Sequence, residues 1–124
     1  DQGHVDAQYN LGVMFFKGEG VPQDFKKAVQ WFRKAADHGN AGAQYNLGVM
    51  YRQGQGVAQD FEKAVQWYRK AADQGLADAQ YNLGVVYLNS KGVAQDFKQA
   101  MLWFRKAANQ GHVGALTCLR DFNI

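Results

Sequence analysis

The chain has 124 residues and a net charge of +3, with 47% hydrophobic and 20% charged residues. This composition is that of a globular domain and excludes an intrinsically disordered chain. No run of about 18 apolar residues occurs, so we expect no membrane insertion. The basic pairs recur at regular intervals rather than in one cluster, which favours a solvated outer face over nucleic-acid binding. They are Arg33–Lys34, Arg69–Lys70 and Arg105–Lys106.

The sequence contains an internal repeat. The heptapeptide AQYNLGV occurs at 7–13, 43–49 and 79–85, so the period is 36 residues. Repeats of this length indicate stacked helical hairpins, because one such hairpin cannot bury its own apolar face. We therefore predict an all-α fold, a solenoid of stacked antiparallel hairpins that forms a single domain over 1–124. Its repeats span about 4–39, 40–75 and 76–111, and a terminal helix spans 112–124.

The first helix of each repeat, called helix A, is predicted from about Ala7 to Lys17 in repeat 1. Gly12 lies inside this helix, where a glycine costs about 1 kcal/mol relative to alanine. Because the glycine recurs as Gly48 and Gly84, we expect it to let a neighbouring helix approach closely. The apolar side of the helix consists of Ala7, Leu11, Met14 and Phe15. The residues expected to end it are Gly18, Gly20 and Pro22.

The second helix, called helix B, is predicted to begin at Asp24, whose counterparts are Asp60 and Asp96. An aspartate there accepts a hydrogen bond from a free amide of the first turn. Gly39 fits the left-handed residue that closes the helix. The predicted apolar stripe is Phe25, Ala28, Trp31, Phe32 and Ala35, and the opposite, solvated face is Lys26, Lys27, Gln30, Arg33 and Lys34. The three tryptophans at this position, Trp31, Trp67 and Trp103, are predicted to lie in the core.

Both ends of the chain depart from a whole number of repeats. Residues 1–3 match the segments that close helix B, so we expect the chain to begin at the tail of such a helix. A fourth helix A is predicted from about Gly114 to Phe122, with Arg120 in place of the packing glycine. This helix is either a natural cap or the end of a shortened array. We expect a segment of a longer array, whose open ends could form head-to-tail or swapped dimers.

The repeat pattern reads A-Q-Y-N-L-G-x-x-Y, then G-x-G-V-x-x-D, then K-A-x-x-W-Y/F-x-K-A-A-x-x-G. It resembles the Sel1-like repeat, a relative of the tetratricopeptide repeat, over nearly the whole chain. The resemblance implies a right-handed superhelix and a scaffold or adaptor function in signalling, protein quality control, cell-envelope biology or host–microbe contact. It favours a bacterial envelope, periplasmic or secreted location, with the cytoplasm as the alternative. Some relatives carry a disulfide within each repeat, which the single Cys118 excludes.

The resemblance also implies a binding surface, because tetratricopeptide relatives bind ligands on the concave side lined by helix A. Aligning the Leu-Gly-x-x-Tyr anchor places four side chains of each repeat there, and we call them the helix A surface. They are Tyr9, Asn10, Val13 and Phe16; Tyr45, Asn46, Val49 and Arg52; and Tyr81, Asn82, Val85 and Leu88. Relatives that grip a terminal carboxylate have Lys and Asn where this chain has Tyr45 and Val49. No carboxylate clamp is therefore expected.

The chemistry of the helix A surface suits a protein or peptide partner. Tyrosine gives a large contact area at low entropic cost, and asparagine can pair with both the amide and the carbonyl of a peptide. The alternative is that these residues pack adjacent A helices, which is weaker for Asn46 because a buried amide without a partner is costly. Positions that differ between repeats could encode a particular partner: Phe16, Arg52 and Leu88, and Lys17, Gln53 and Asn89.

No catalytic, metal or cofactor site is predicted. His4, His38 and His112 are expected in turns between repeats, too far apart to share a metal. Cys118 is expected to be a buried cap thiol. The Gly18–Gly20 segment follows a helix, whereas a phosphate-binding glycine loop follows a strand.

Two functions fit these observations. The first is a non-catalytic scaffold that binds a protein or peptide through the helix A surface. The alternative is a structural spacer within a longer repeat array, with no partner in the groove. Carbohydrate binding on the tyrosines is a weaker option.

Overall fold

The computed structural model describes residues 2–122, which form seven helices and no strand. The helices are α1 (Gln2–Lys17), α2 (Phe25–Asp37), α3 (Ala41–Gln53), α4 (Phe61–Asp73), α5 (Ala77–Asn89), α6 (Phe97–Ala108) and α7 (Val113–Asp121). Each helix packs against the next one in the chain. The A helices are α1, α3, α5 and α7, and the B helices are α2, α4 and α6. The predicted all-α solenoid of helical hairpins is confirmed.

The predicted start of helix A is wrong. In repeat 1 the helix begins at Gln2, so His4 lies inside α1 and not in a turn. Gln2 and Gly3 thus lie inside the first helix A and do not close a helix B. Asp1 lies outside the described residues. In repeat 2 the helix begins at Ala41 because the Asn40 side chain accepts a hydrogen bond from the Ala43 amide at 2.8 Å.

The predicted ends of helix B are confirmed. The Asp24 carboxylate accepts a hydrogen bond from the Lys27 amide at 3.1 Å, and Asp60 and Asp96 form the same cap. At the other end, Gly39 has a φ of 92°, a left-handed conformation that costs a residue with a Cβ considerably more. These two signals fix the register of each helix B within its repeat.

The glycine inside each helix A receives an aromatic ring from helix B. A Cβ built on Gly48 would lie 2.6 Å from Cδ1 of Tyr68 and 3.2 Å from the Ala64 carbonyl oxygen. Gly12 and Gly84 would meet the rings of Phe32 and Phe104 at 2.5 Å. The predicted close approach is therefore confirmed, and it occurs within the hairpin.

The prediction that all three tryptophans lie in the core is wrong for two of them. Trp103 is buried, but Trp31 and Trp67 are only half-buried. The core ring of repeat 1 is Phe32, because it faces the helix A glycine and Trp31 is rotated by about 100° around the helix. The ammonium of Lys34 covers the exposed part of Trp31 at 4.5 Å from the ring centroid.

The apolar side of helix A is buried only where another hairpin covers it. Ala43 and Leu47 are fully buried in α3, against which α2 packs. In α1 the equivalent Ala7 is exposed and Leu11 is half-buried, which corrects the prediction for repeat 1. No described helix precedes α1 to cover this side.

Buried glutamines connect successive repeats. Gln74 donates from Nε2 to Oε1 of Gln44 at 2.9 Å and to the Gly39 carbonyl at 2.8 Å. Gln110 repeats this arrangement with Gln80 and Gly75. In repeat 1 the donor position holds His38, whose Nδ1 lies against the Lys34 carbonyl, and Oε1 of the buried Gln8 has no hydrogen-bond partner.

We expect Gly48→Ala to lower the free energy of unfolding by about 1–3 kcal/mol. The added methyl group overpacks the contact with the Tyr68 ring, and this cost exceeds the stabilisation from the higher helix propensity of alanine. Chemical denaturation monitored by circular dichroism measures the change. Greater stability in this variant would show that the Tyr68 ring can move aside without cost.

We expect His38→Gln to raise the free energy of unfolding by about 1 kcal/mol, since it supplies the missing donor to Gln8. The same denaturation experiment applies, with Gln8→Ala as the second arm of a double-mutant cycle. The gain should vanish in the Gln8→Ala background. A gain of equal size in both backgrounds would contradict the hydrogen bond.

Candidate partner-binding surfaces

The helix A surface is carried by α1, α3 and α5. All its side chains are half-buried except Asn10, which is exposed. The exposed part of each side chain is thus limited, and the buried part contributes to packing. Whether these residues can bind a partner or only pack adjacent A helices depends on which of their atoms already contact other residues.

The tyrosines of the helix A surface pack inside and between repeats. The Tyr45 ring centroid lies 5.8 Å from that of Tyr68, and Tyr9 and Tyr81 make equivalent contacts with helix B rings. Tyr9 also lies against the next helix A, because a Cβ built on Gly42 would be 3.0 Å from its Cε1. A structural role explains why tyrosine recurs at this position.

One asparagine of the surface bonds across a repeat boundary. Nδ2 of Asn82 donates to the Tyr45 hydroxyl at 3.2 Å. Burial raises the pKa of Tyr45 above its ordinary value, and the hydrogen bond from Asn82 offsets part of this rise. The amide oxygen of Asn82 and the side chain of Asn46 have no such cross-repeat bond, so they retain the capacity to pair with a peptide backbone.

Repeat 2 has a polar centre that the other repeats lack. Arg52 is half-buried on the helix A surface where repeats 1 and 3 have Phe16 and Leu88. Tyr68 is fully buried below it, and its hydroxyl has no hydrogen-bond partner within ordinary geometry. Burial raises the pKa of Tyr68 to about 12, although the nearby positive charge of Arg52 lowers it in part.

The outer face formed by the B helices is not simply solvated, which corrects the prediction for Arg33. Its guanidinium donates from Nη2 to the Tyr51 hydroxyl and is half-buried. Arg69 bonds Tyr87 in the same way one repeat later. Lysines at 34, 70 and 106 lie 4.5–4.7 Å from the tryptophan ring centroids of their own helices.

Two surface cavities flank these arginine–tyrosine pairs, and sequence reasoning missed both. One of about 720 Å³ lies along α4 beside Tyr87 and Val93 and is lined by charges of both signs. The other, of about 230 Å³, lies between Arg33 of α2 and Trp67 of α4. The recurrence of Arg33 and Tyr51 as Arg69 and Tyr87 was the available sequence signal, but the repeat does not reveal which side chains meet between neighbouring hairpins.

The C-terminal helix is joined to repeat 3 through His112. Nδ1 of His112 accepts a hydrogen bond from the Ala115 amide at 3.1 Å, and Nε2 lies 3.0 Å from the Asp78 carboxylate. The imidazole ring also stacks on Tyr81, with centroids 4.6 Å apart.

Cys118 of α7 is half-buried, so the prediction of a buried cap thiol is wrong. Burial and the neighbouring Cys118 raise the pKa of Tyr81.

Residues 2–122 contain neither a metal-binding cluster nor a membrane-spanning helix. In that range no group of three or more His, Cys, Asp or Glu side chains could hold a metal ion. None of the helices described there combines the length and apolar character needed to cross a membrane.

Comparison with protein families identifies the repeat. The Sel1 repeat matches residues 5–40, 41–76 and 77–112. The chain is a Sel1 repeat protein. Sel1 repeat proteins are generally non-catalytic helical scaffolds for protein interaction. No curated protein matches the chain.

Solved structures of similar proteins share the solenoid. The chain is 46% identical to c5321, a protective antigen of uropathogenic Escherichia coli, with a TM-score of 0.90 over 92% of this chain and 24% of that one. It is 39% identical to a Sel1 repeat protein from Oxalobacter formigenes, with a TM-score of 0.88 over 92% of this chain and 47% of that one. Helicobacter pylori cysteine-rich protein B is 29% identical, with a TM-score of 0.79 over 95% and 90% of the two chains. The chain thus spans less than half of the first two proteins.

We expect the stability of the protein to fall between pH 10 and about 12, in part because Tyr68 ionises in the unfolded chain near its ordinary pKa of about 10 but stays neutral in the fold. The contribution of Tyr68 is fully present below pH 10 and is lost as the pH rises through about 12. Tyr68→Phe should remove up to about 1.4 kcal/mol of this loss per pH unit.

The measurement is urea denaturation of both proteins at pH 8, 10 and 11. At pH 8 the variant should be at least as stable as the native chain, because it removes a buried hydroxyl without a partner and Phe occupies this position in repeats 1 and 3. Parallel stability curves across the pH range would contradict the raised pKa.

Proposed function

We propose that this Sel1 repeat protein is a non-catalytic scaffold that binds a protein or peptide through its helix A surface. The observation that carries the proposal is Arg52. This cation lies half-buried in the middle repeat, in a row otherwise formed by aromatic, asparagine and aliphatic side chains. It has no ion-pair partner among residues 2–122. The Tyr68 hydroxyl lies close to Arg52 but carries no charge, so the cation can still pair with a carboxylate of a partner, which favours an intermolecular role.

The groups around Arg52 define the chemistry of the partner. Val49 and the exposed edges of Tyr45 and Tyr81 offer apolar contact, and the Asn46 amide can pair with a peptide backbone. Arg52 would pair with a carboxylate side chain of the partner. The proposed partner is therefore an extended or helical peptide with one acidic residue near its centre.

A structural spacer is the second candidate. It is favoured by the packing of Tyr9, Tyr45 and Tyr81, which explains the recurrence of these tyrosines without any ligand. Arg52 beside the Tyr68 hydroxyl is compatible with it as well, since repeats 1 and 3 combine an apolar residue with phenylalanine at these two positions. Head-to-tail or swapped association through the ends of the array stays a prediction, for which the exposed Leu116 of α7 and Phe122 just after it offer apolar surface.

We expect Arg52→Glu to abolish or weaken partner binding at least tenfold, because it replaces attraction of the partner carboxylate by repulsion. The native chain, Arg52→Glu and Lys98→Glu are immobilised, and the proteins that each retains from the source extract are identified by mass spectrometry. Lys98→Glu is the matched control, since Lys98 is exposed on α6 and the net charge changes equally.

A partner retained by the native chain and by Lys98→Glu, but lost from Arg52→Glu, would support the scaffold. Its affinity is then measured by titration calorimetry with purified partner. Identical retention by all three columns would remove the helix A surface as the binding site and favour the spacer. Circular dichroism must show equal helicity for the three proteins.

A further inference from the structure

The cavity between α2 and α4 on the outer face has an unusual charge distribution. It encloses about 230 Å³ and is lined by Arg33, Tyr51, Lys63, Gln66, Trp67 and Lys70. Three of these side chains are cations and none is an acid. Glu62 and Asp73 line the larger neighbouring cavity, but neither forms an ion pair with these cations within 4.0 Å.

Arg33 is held rigidly at this cavity. Its Nη2 donates to the Tyr51 hydroxyl, and its guanidinium lies 5.8 Å from the centroid of the Trp67 ring. Nε of the same guanidinium is buried and has no acceptor. A buried charged donor without an acceptor is costly, so an acceptor bound beside it would offset that cost.

The mutual repulsion of the three cations also favours the binding of an anion. Arg33, Lys63 and Lys70 approach one small cavity without a compensating anion, so an anion that enters it gains attraction from all three. A carboxylate, with one charge, would leave most of the excess uncompensated. A phosphate or sulfate group carries up to two charges and enough acceptor oxygens for several donors at once.

The next junction in the array shows which residue makes this cavity different. Between α4 and α6, the equivalents of Arg33, Tyr51, Trp67 and Lys70 are Arg69, Tyr87, Trp103 and Lys106, whereas Lys63 and Gln66 are replaced by Gln99 and Leu102. The shared residues belong to the structure of the repeat. Lys63 is the additional cation, and Leu102 removes a further polar group from the second junction.

We propose that the cavity between α2 and α4 is a binding site for a phosphate or sulfate group, separate from the helix A surface. Arg33 and Lys70 supply positive charge beside Trp67, and Lys63 is the third cation that lines the site. This inference goes beyond the proposed scaffold function. It does not depend on a partner binding to helix A.

The test is a titration of the native chain with sodium phosphate at pH 7, at constant ionic strength, followed by NMR of the Arg33 Nε–H and Trp67 indole N–H signals. We expect saturable shifts of both signals. Lys63→Gln and Lys70→Gln should weaken binding about fivefold each, as expected for one partly exposed charge contact. All these lysines are exposed, so the variants keep the fold.

Lys106→Gln is the matched control, because it removes one charge from an equivalent tryptophan–lysine pair at the junction that lacks Lys63. Its affinity for phosphate should equal that of the native chain. Equal weakening by Lys70→Gln and Lys106→Gln, or shifts that never saturate, would overturn the proposal, since either result indicates general screening of a basic surface.

A second titration identifies the preferred anion. Phenyl sulfate carries one charge at both pH 5 and pH 7, while phenyl phosphate carries nearly two at pH 7 and loses one of them below a pKa of about 6. Tighter binding of phenyl phosphate than phenyl sulfate at pH 7, lost at pH 5, would support a phosphate site. Tighter binding of phenyl sulfate at both pH values would support a sulfate site. Acetate binding as tight as phenyl phosphate at pH 7 would overturn the requirement for a tetrahedral group of higher charge.

Discussion

Everything in this structure depends on the contact between a glycine of helix A and an aromatic ring of helix B. In repeat 2, Gly48 lets the Tyr68 ring approach to a distance that no side chain would permit. This contact sets the separation of the two helices in a hairpin. It also buries the ring at this position, whereas the neighbouring Trp67 is only half-buried. The distinct surfaces of the A and B helices follow from this orientation.

The junctions between hairpins are polar as well as apolar. Gln74 bonds both Gln44 and the Gly39 carbonyl, so the buried amides that fix the stacking are satisfied across the repeat boundary. The helix A tyrosines add ring contacts at the same boundaries. Because these residues are already engaged in packing, the groups that could select a particular partner are those that vary between repeats. Arg52 on one face and Lys63 on the other both belong to this variable set.

The two faces of the array differ in how well the sequence predicted them. The helix A surface was placed by resemblance, and its residues lie on the A helices, half-buried except for Asn10, although no observation tests their role in binding. On the outer face the sequence predicted solvated cations. Arg33 instead bonds Tyr51 of the next hairpin, a contact between residues 18 positions apart that a single-helix wheel does not show. Trp31 and Trp67 were misplaced because the ring that faces the helix A glycine is that of the next residue, Phe32 or Tyr68.

The sequence by itself determined the repeat length, the all-α hairpins, the aspartate caps and the glycine approach, because each of these depends on local geometry or on a pattern within one repeat. Only the tertiary structure decided how much of each side chain is buried and which groups remain without partners. Those properties depend on the neighbouring hairpin. Ala7 and Ala43 illustrate this, since they occupy the same position in the repeat, yet one is exposed and the other fully buried, according to whether a preceding helix covers them.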